Sequence, residues 1–198
     1  PCKDISIAVV SFLVSSYITR FGYRRAMLTA LGLISAVCFI VPNAPGFLAV
    51  KLLFVAVGSC FALIKMSVYS TIGIITKDSK EHISFMNFIE SFFMVGNLTL
   101  YFIFSSFVDS NNPQSTSWLN AYYLIGGLSL LAFLLLLSSA LDESSAKPTT
   151  EKPLTAEFSE MFKLAAQPIV LAFIFSAFIY VLIEQSIQNF LPTFNNKV

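Results

Sequence analysis

Six blocks of mainly apolar residues, separated by short polar breaks, run through the 198-residue chain. They cover about Ile5 to Thr19, Ala26 to Val41, Phe47 to Ile75, Ile83 to Val108, Leu119 to Leu141 and Pro168 to Leu191. The longest, FLAVKLLFVAVGSCFALIKMSVYSTIGII, crosses a hydrocarbon layer of roughly 30 Å with some tilt, at about 1.5 Å per helical residue. Blocks of this length, unbroken by strand-like alternation, predict helices that span a membrane. The first is short enough to be part of a longer span. Pro168 suits a first helical turn and opens the sixth, and Pro192 is expected to close it.

The breaks carry their own pattern. Pro42-Asn43-Ala44-Pro45-Gly46 is an uncharged turn signal. Asp109 to Ser117, DSNNPQSTS, is polar without Lys or Arg, and Trp118, Tyr122 and Tyr123 follow at the level where such rings anchor to headgroups. Asp142 to Pro153, DESSAKPTTEKP, reads as a low-complexity linker. After it, Phe158, Met161, Phe162 and Ala165 fall at helical spacing between Thr155 and Ala166, which predicts a short interfacial helix. Lys and Arg number three, none, two, none and three in successive breaks (Arg20, Arg24, Arg25; Lys77, Lys80; Lys147, Lys152, Lys163). That alternation predicts loops 20–25, 76–82 and 142–167 on the cytoplasmic side, and 42–46 and 109–118 on the far side.

Composition narrows the class. The chain is 56% hydrophobic and 12% charged, contains 21 Phe and has a mean hydropathy of +0.77. Soluble domains carry about a quarter charged residues, so too little polar surface remains here to cover a water-soluble globule. A net charge of +1 leaves no electrostatic footprint for nucleic acid. Cys2, Cys38 and Cys60 lack metal-ligand spacing and read as small hydrophobes. His82 sits in a charged loop, and Asn97-Leu98-Thr99 fits a glycosylation pattern only inside a span, where no glycan is attached. There is no initiator Met and no signal peptide. The chain stops directly after a span, so it is expected to be a fragment of a longer one. No phosphate-cradling glycine loop, paired His ligands or nucleophile with a base is present, so neither an enzyme nor a cofactor or metal site is expected.

Polar residues inside the spans are the candidate chemistry. In the third block Lys51, Gly58, Ala62, Lys65, Tyr69 and Gly73 step by seven, four, three, four and four, which keeps them on one helical face. Small residues on that face permit close helix approach. Lys65 lies about 15 Å from the Ile75 end. In the fourth block Asn87, Glu90, Met94, Asn97, Tyr101 and Ser105 form a second stripe, with Glu90 about 10 Å from its start. Lys65 and Glu90 therefore reach similar depth. Hydrocarbon excludes unpaired charge, so the two either form a structural ion pair between helices or face a watered cavity that binds solute or a proton. Lys51, near the outer end, is expected to snorkel. On the sixth block Tyr180, Glu184 and Gln188 share a face, with Gln185 and Asn189 beside it. Such bidentate donors and acceptors beside aromatic surface suit sugars and other polyols; the alternative is that they lie wet at headgroup level.

Ser15-x-x-x-Thr19-Arg20-Phe21-Gly22-Tyr23-Arg24-Arg25 resembles the loop signature Gly-x-x-x-Asp-Arg-x-Gly-x-Arg-Arg of the major facilitator superfamily. Ser15 replaces the glycine and Thr19 the aspartate, whereas Arg20, Gly22, Arg24 and Arg25 remain. That loop joins family helices two and three, so the resemblance implies that the six blocks are helices two to seven. The 142–167 linker then falls between the family's two halves. The implied fold is all-α, a polytopic part of the major facilitator fold: residues 1–141 are most of the N-terminal half and 168–198 the first helix of the C-terminal half. Met86-Asn87-Phe88-Ile89-Glu90-Ser91-Phe92 resembles the fifth helix of the fucose–proton symporter group, with Glu90 at its sugar-contacting glutamine. Tyr180, Glu184 and Phe190-Leu-Pro192 resemble its seventh helix. The group's intramembrane Glu and Asn-Pro pair on helix four are replaced here by Lys65 and Ser67-Val68.

The resemblance implies a secondary active transporter that moves a small polar organic solute, sugars foremost, by alternating access and proton symport. Lys65, Tyr69, Asn87, Glu90, Asn97, Tyr180, Gln185, Gln188 and Asn189 are the expected solute contacts, and Glu90 and Glu184 the proton-coupling or gating groups. Two alternatives stand beside it: efflux or exchange of an organic anion or amphipathic compound, which Lys65 and the Phe-rich walls suit, and a non-transporting scaffold or sensor. Expected partners are the solute, the bilayer of a plasma or bacterial inner membrane, and the missing helices of the parent chain, with no nucleic acid.

Overall fold

The computed structural model describes residues 2–15, 17–43, 46–109, 112, 115–140 and 154–195; within helices, the side chains at 154, 155, 157, 188, 189 and 191–195 stand outside that description. The described residues form eight α-helices: α1 (Cys2–Ser15), α2 (Ile18–Phe21), α3 (Tyr23–Ile40), α4 (Phe47–Ile75), α5 (Ser79–Phe107), α6 (Ala121–Ser138), α7 (Leu154–Ala165) and α8 (Pro168–Asn195). Short 3-10 turns at Val41–Asn43 and Ser117–Asn120 extend the far end of α3 and lead into α6. The fold is all-α, with no strand among the described residues.

Among the described residues five helical segments are long and apolar enough to cross a membrane: Tyr23–Asn43, Phe47–Ile75, Ser79–Phe107, Ser117–Ser138 and Pro168–Ile187. The first apolar block forms α1, whose 14 residues extend only about 21 Å. Tyr17 and the one-turn helix α2 follow it. At the other end of the chain α8 does not stop before Pro192 but continues to Asn195. Proline removes one backbone hydrogen bond there, a loss that spanning helices tolerate when neighbouring groups re-satisfy the freed carbonyl.

The chain divides into two compact units, Pro1–Thr149 and Thr150–Val198. In the first, α4 packs along both α1 and α3, and α3 packs along α6. Small residues make these crossings close. A Cβ added to Gly58 of α4 would lie 2.4 Å from the Lys3 carbonyl oxygen of α1, and one added to Gly126 of α6 would lie 3.1 Å from Cys38 Cβ of α3. Ser35 Oγ donates to the Gly126 carbonyl across the second crossing at 3.1 Å. Between helices such contacts replace the hydrophobic drive that lipid cannot provide. Apolar clusters close the two ends: Ile18, Tyr23 and Ala26 at one, and Val41, Leu53 and Leu119 at the other. Trp118 and Tyr122, expected as headgroup anchors, pack edge-on to each other at 6.2 Å, and Tyr123 donates to Asn43 Oδ1.

None of the residues of α5 is buried, and the same holds for α1. Helix α5 touches α4, α6 and the 117–120 turn. In the second unit α7 ends at Ala165, and Gln167 caps α8 by accepting from Leu171 N–H at 2.9 Å. That leaves Pro168 in the first turn, where its missing N–H costs nothing. Phe158, Met161 and Ala165 of α7 are half-buried, whereas Phe162, expected on the same face, is exposed. The expected linker 142–153 lies outside the described residues.

Candidate functional site: an ion pair in an aromatic cleft between two spans

The turn from α4 to α5 sets the site. Thr76 Oγ1 donates to the Ile72 carbonyl at 2.7 Å and closes α4. Asp78, extended, caps α5 by accepting from Glu81 N–H at 2.8 Å, and the Glu81 carboxylate reaches back to Lys77 N–H at 2.8 Å. This reciprocal arrangement is a close variant of a capping box, with the return bond shifted one residue toward the N-terminus. It turns the chain back in three residues, so the Lys65 face of α4 and the Glu90 face of α5 run side by side at matching depth.

There the structure brings three of the expected residues together. Lys65 Nζ lies 3.5 Å from Glu90 Oε1, and the Tyr69 hydroxyl donates to the same carboxylate oxygen. Two phenylalanines that sequence reasoning passed over complete the surroundings. Lys65 Nζ stands 5.7 Å from the Phe61 ring centroid, 5.3 Å from Tyr69 and 5.6 Å from Phe93. Each lies within cation–π range. A cleft of about 170 Å³ opens among these side chains, with Ile64, Val68 and Ile89 as its apolar wall. The signal for the two rings was present in the spacing: Phe61 and Tyr69 flank Lys65 by four residues each way, and Phe93 follows Glu90 by three.

The polar stripe of α4 does not act as one face. Gly58 and Ala62 are buried, Gly58 beneath α1, whereas Lys65 and Tyr69 turn to α5 and Gly73 has nothing near it. A helical face is wide enough to serve two neighbours, and the small residues serve one while the charged ones serve the other. Lys51 is exposed, its ammonium 4.4 Å from the Phe47 ring.

The α5 stripe continues past Glu90 to a second hollow of about 370 Å³, lined by Asn97, Leu100, Tyr101 and Phe104. Asn87 is exposed on the other side of Glu90. On α8, Tyr180 and Gln185 are exposed and Glu184 is half-buried. The side chains of Gln188 and Asn189 lie outside the described residues.

The loop motif has a structural basis of its own. Gly22 adopts φ 92°, ψ 133°, the one positive-φ residue among those described, and reverses the chain between α2 and α3. A side chain there would be strained. Arg24 then reaches across to α6, where Nη2 donates to the Leu137 carbonyl at 2.9 Å, one of the orphan acceptors of that helix end. Arg20 and Arg25 are exposed. Among the described residues no group of three or more His, Cys, Asp or Glu could hold a metal ion.

Apolar helices long enough to span, packed through small residues, are those of a multi-pass membrane protein. The sequence profile of the Major Facilitator Superfamily matches residues 5–198, and the chain belongs to that family. It is thus a secondary membrane transporter, which implies a small-molecule solute and a lipid bilayer as its partners. No curated protein and no solved structure matches the chain.

Proposed function

We propose that the protein moves a small polar, uncharged organic solute, a sugar or sugar-like polyol, by alternating access coupled to protons. The observation that carries this reading is the Lys65–Glu90–Tyr69 cluster facing the cleft between α4 and α5. With Glu90 ionised, its charge cancels that of Lys65, so the cleft offers strong donors and acceptors without net charge. A hydroxylated solute exchanges hydrogen bonds with both groups and stacks its apolar face on Phe61 or Phe93. An organic anion would have to displace Glu90 from Lys65 first, which argues against the anion alternative. The aromatic lining favours an amphipathic compound as the second reading.

In this reading α1 and α3 to α6 correspond to family helices two to six, α8 to helix seven, and 142–167 to the linker between halves. Loops 20–25, 76–82 and 142–167 face the cytoplasm, by the distribution of Lys and Arg. Asn87 and Asn97 extend the solute path along α5, and Tyr180, Gln185, Gln188 and Asn189 contact solute from α8. Glu90 and Glu184 carry the proton or gate the path. The likeness of the 86–92 segment to the fucose–proton symporter group supports the proton, and the neutral hydrogen-bonding cleft supports the sugar. The test is uptake by the full-length protein in proteoliposomes, with a panel of sugars and organic anions and with an imposed pH gradient. Lys65→Ala and Glu90→Gln should each abolish accumulation of the sugar that the parent takes up. Parent-like uptake by both variants would remove these residues from the solute site.

A further inference from the structure

Lys65 has more around it than a counter-ion. A carboxylate and three aromatic faces, drawn from two helices, converge on one ammonium group. Rings at 5.3–5.7 Å with a carboxylate at 3.5 Å form the arrangement that recognises an organic ammonium ion, since ring quadrupoles and a negative charge attract a cation together. A plain ion pair needs none of the rings. Phe61 and Phe93 also hold each other, with centroids 5.9 Å apart, so the box is braced independently of the lysine. Tyr69 donates to Glu90 and fixes the carboxylate without help from the ammonium.

We infer that Phe61, Tyr69, Glu90 and Phe93 form a binding site for a primary organic ammonium ion, and that Lys65 occupies it as a tethered internal ligand. Its consequence is selectivity. An amine solute would add a second positive charge to a site already neutral, so the parent protein rejects amines. Removing the lysine side chain beyond Cβ takes away three carbons and the ammonium group, the outline of n-propylammonium, and leaves a negative box of that shape.

The inference shares the cleft with the proposed function but is read by binding alone. Loss of uptake with ammonium binding intact, or the reverse, therefore tells the two apart. The full-length chain is purified as parent, Lys65→Ala and Lys65→Ala/Glu90→Gln, and its melting is followed against n-propylammonium chloride, with sodium chloride at equal ionic strength as control. Lys65→Ala should gain about 2–4 °C once the amine reaches about five times its Kd, and tert-butylammonium, too broad at its head, should give less. Parent and double variant should not respond. An equal response in either of those, or none in folded Lys65→Ala, overturns the inference. Should Lys65→Ala fail to fold alone, purification with n-propylammonium throughout replaces the melt. Monodisperse protein recovered with the amine and not with sodium supports the tethered ligand, and no recovery with either overturns it.

Discussion

Replacing Lys65 by Met and Glu90 by Gln, singly and together, separates a solute-facing pair from a structural one. Met keeps most of the lysine's volume and Gln keeps the acceptor that Tyr69 uses, so packing changes little and the cycle reads the charges. Two unit charges about 4 Å apart interact by about 1 kcal/mol in water and about 4 kcal/mol at an effective dielectric of 20. Lys65 and Glu90 are 3.5 Å apart, with their side chains 41% and 37% exposed. More than a third of each is exposed, which places the pair near the watery limit, where measured couplings run about 0.2–1 kcal/mol. A sealed pair behaves otherwise: loss of one partner strands the other charge at a cost of about 3–5 kcal/mol.

The measurement is unfolding of the purified full-length protein in bicelles for parent, both single variants and the double, alongside uptake by the same four. Each single variant should lose less than about 1 kcal/mol, with a coupling energy below about 1 kcal/mol. Uptake should fall in both singles and stay low in the double. A coupling above about 2 kcal/mol, together with a charge-reversed pair (Lys65→Glu with Glu90→Lys) that recovers both stability and uptake, would refute the reasoning. It would make the pair helix glue.

Three further outcomes follow from the fold. Gly58→Ala should be less stable than Gly73→Ala by about 1–3 kcal/mol, because both gain the same helix propensity but only the first drives a Cβ into the Lys3 carbonyl; equal melting temperatures would contradict the α1–α4 crossing. Gly22→Ala should cost about 1–2 kcal/mol for a side chain forced to positive φ, read by the same melt. Single cysteines at Lys80 and Asn112, in a background without Cys2, Cys38 and Cys60, should label from opposite sides of the membrane, Lys80 from the cytoplasmic one, and labelling of both from one side would contradict the topology drawn from the basic residues.

The elements were legible where hydropathy and hydrogen bonding agree. Phe47–Ile75 begins after Gly46 and ends at the first polar residues, so the apolar block and the helix coincide. For α5 the two criteria part. The apolar pattern starts at Ile83, but the helix starts at Ser79, because Asp78 and Glu81 supply a cap and charged residues in a first turn cost nothing where they meet water. Pro192 misleads in the opposite direction, since a lost N–H ends a soluble helix more readily than a spanning one. At the site, periodicity located Lys65, Tyr69 and Glu90 because polar atoms are conspicuous in apolar sequence. Phe61 and Phe93 stood at the right spacing from Lys65 and Glu90, but among 21 phenylalanines that spacing singles out neither ring until two helices are placed together.

Within the cluster the three groups are not equivalent, and their connectivity predicts which loss is felt most. Lys65 and Tyr69 both converge on one oxygen of Glu90, so Glu90 is the shared acceptor and neither donor depends on the other. Removing Lys65 leaves the carboxylate with its tyrosine. Removing Tyr69 as Phe leaves the ion pair and an intact ring for the ammonium. Glu90→Ala instead takes the shared acceptor from a half-buried cation and a half-buried hydroxyl at once, so two donors lose a partner where each other variant removes one contact. The order of destabilisation should therefore be Glu90→Ala first, then Lys65→Ala, then Tyr69→Phe, with Glu90→Gln well above Glu90→Ala because its amide oxygen still accepts from Tyr69. If Lys65→Ala proves the most damaging, the carboxylate is not the hub. The rings would then hold the ammonium more strongly than Glu90 does.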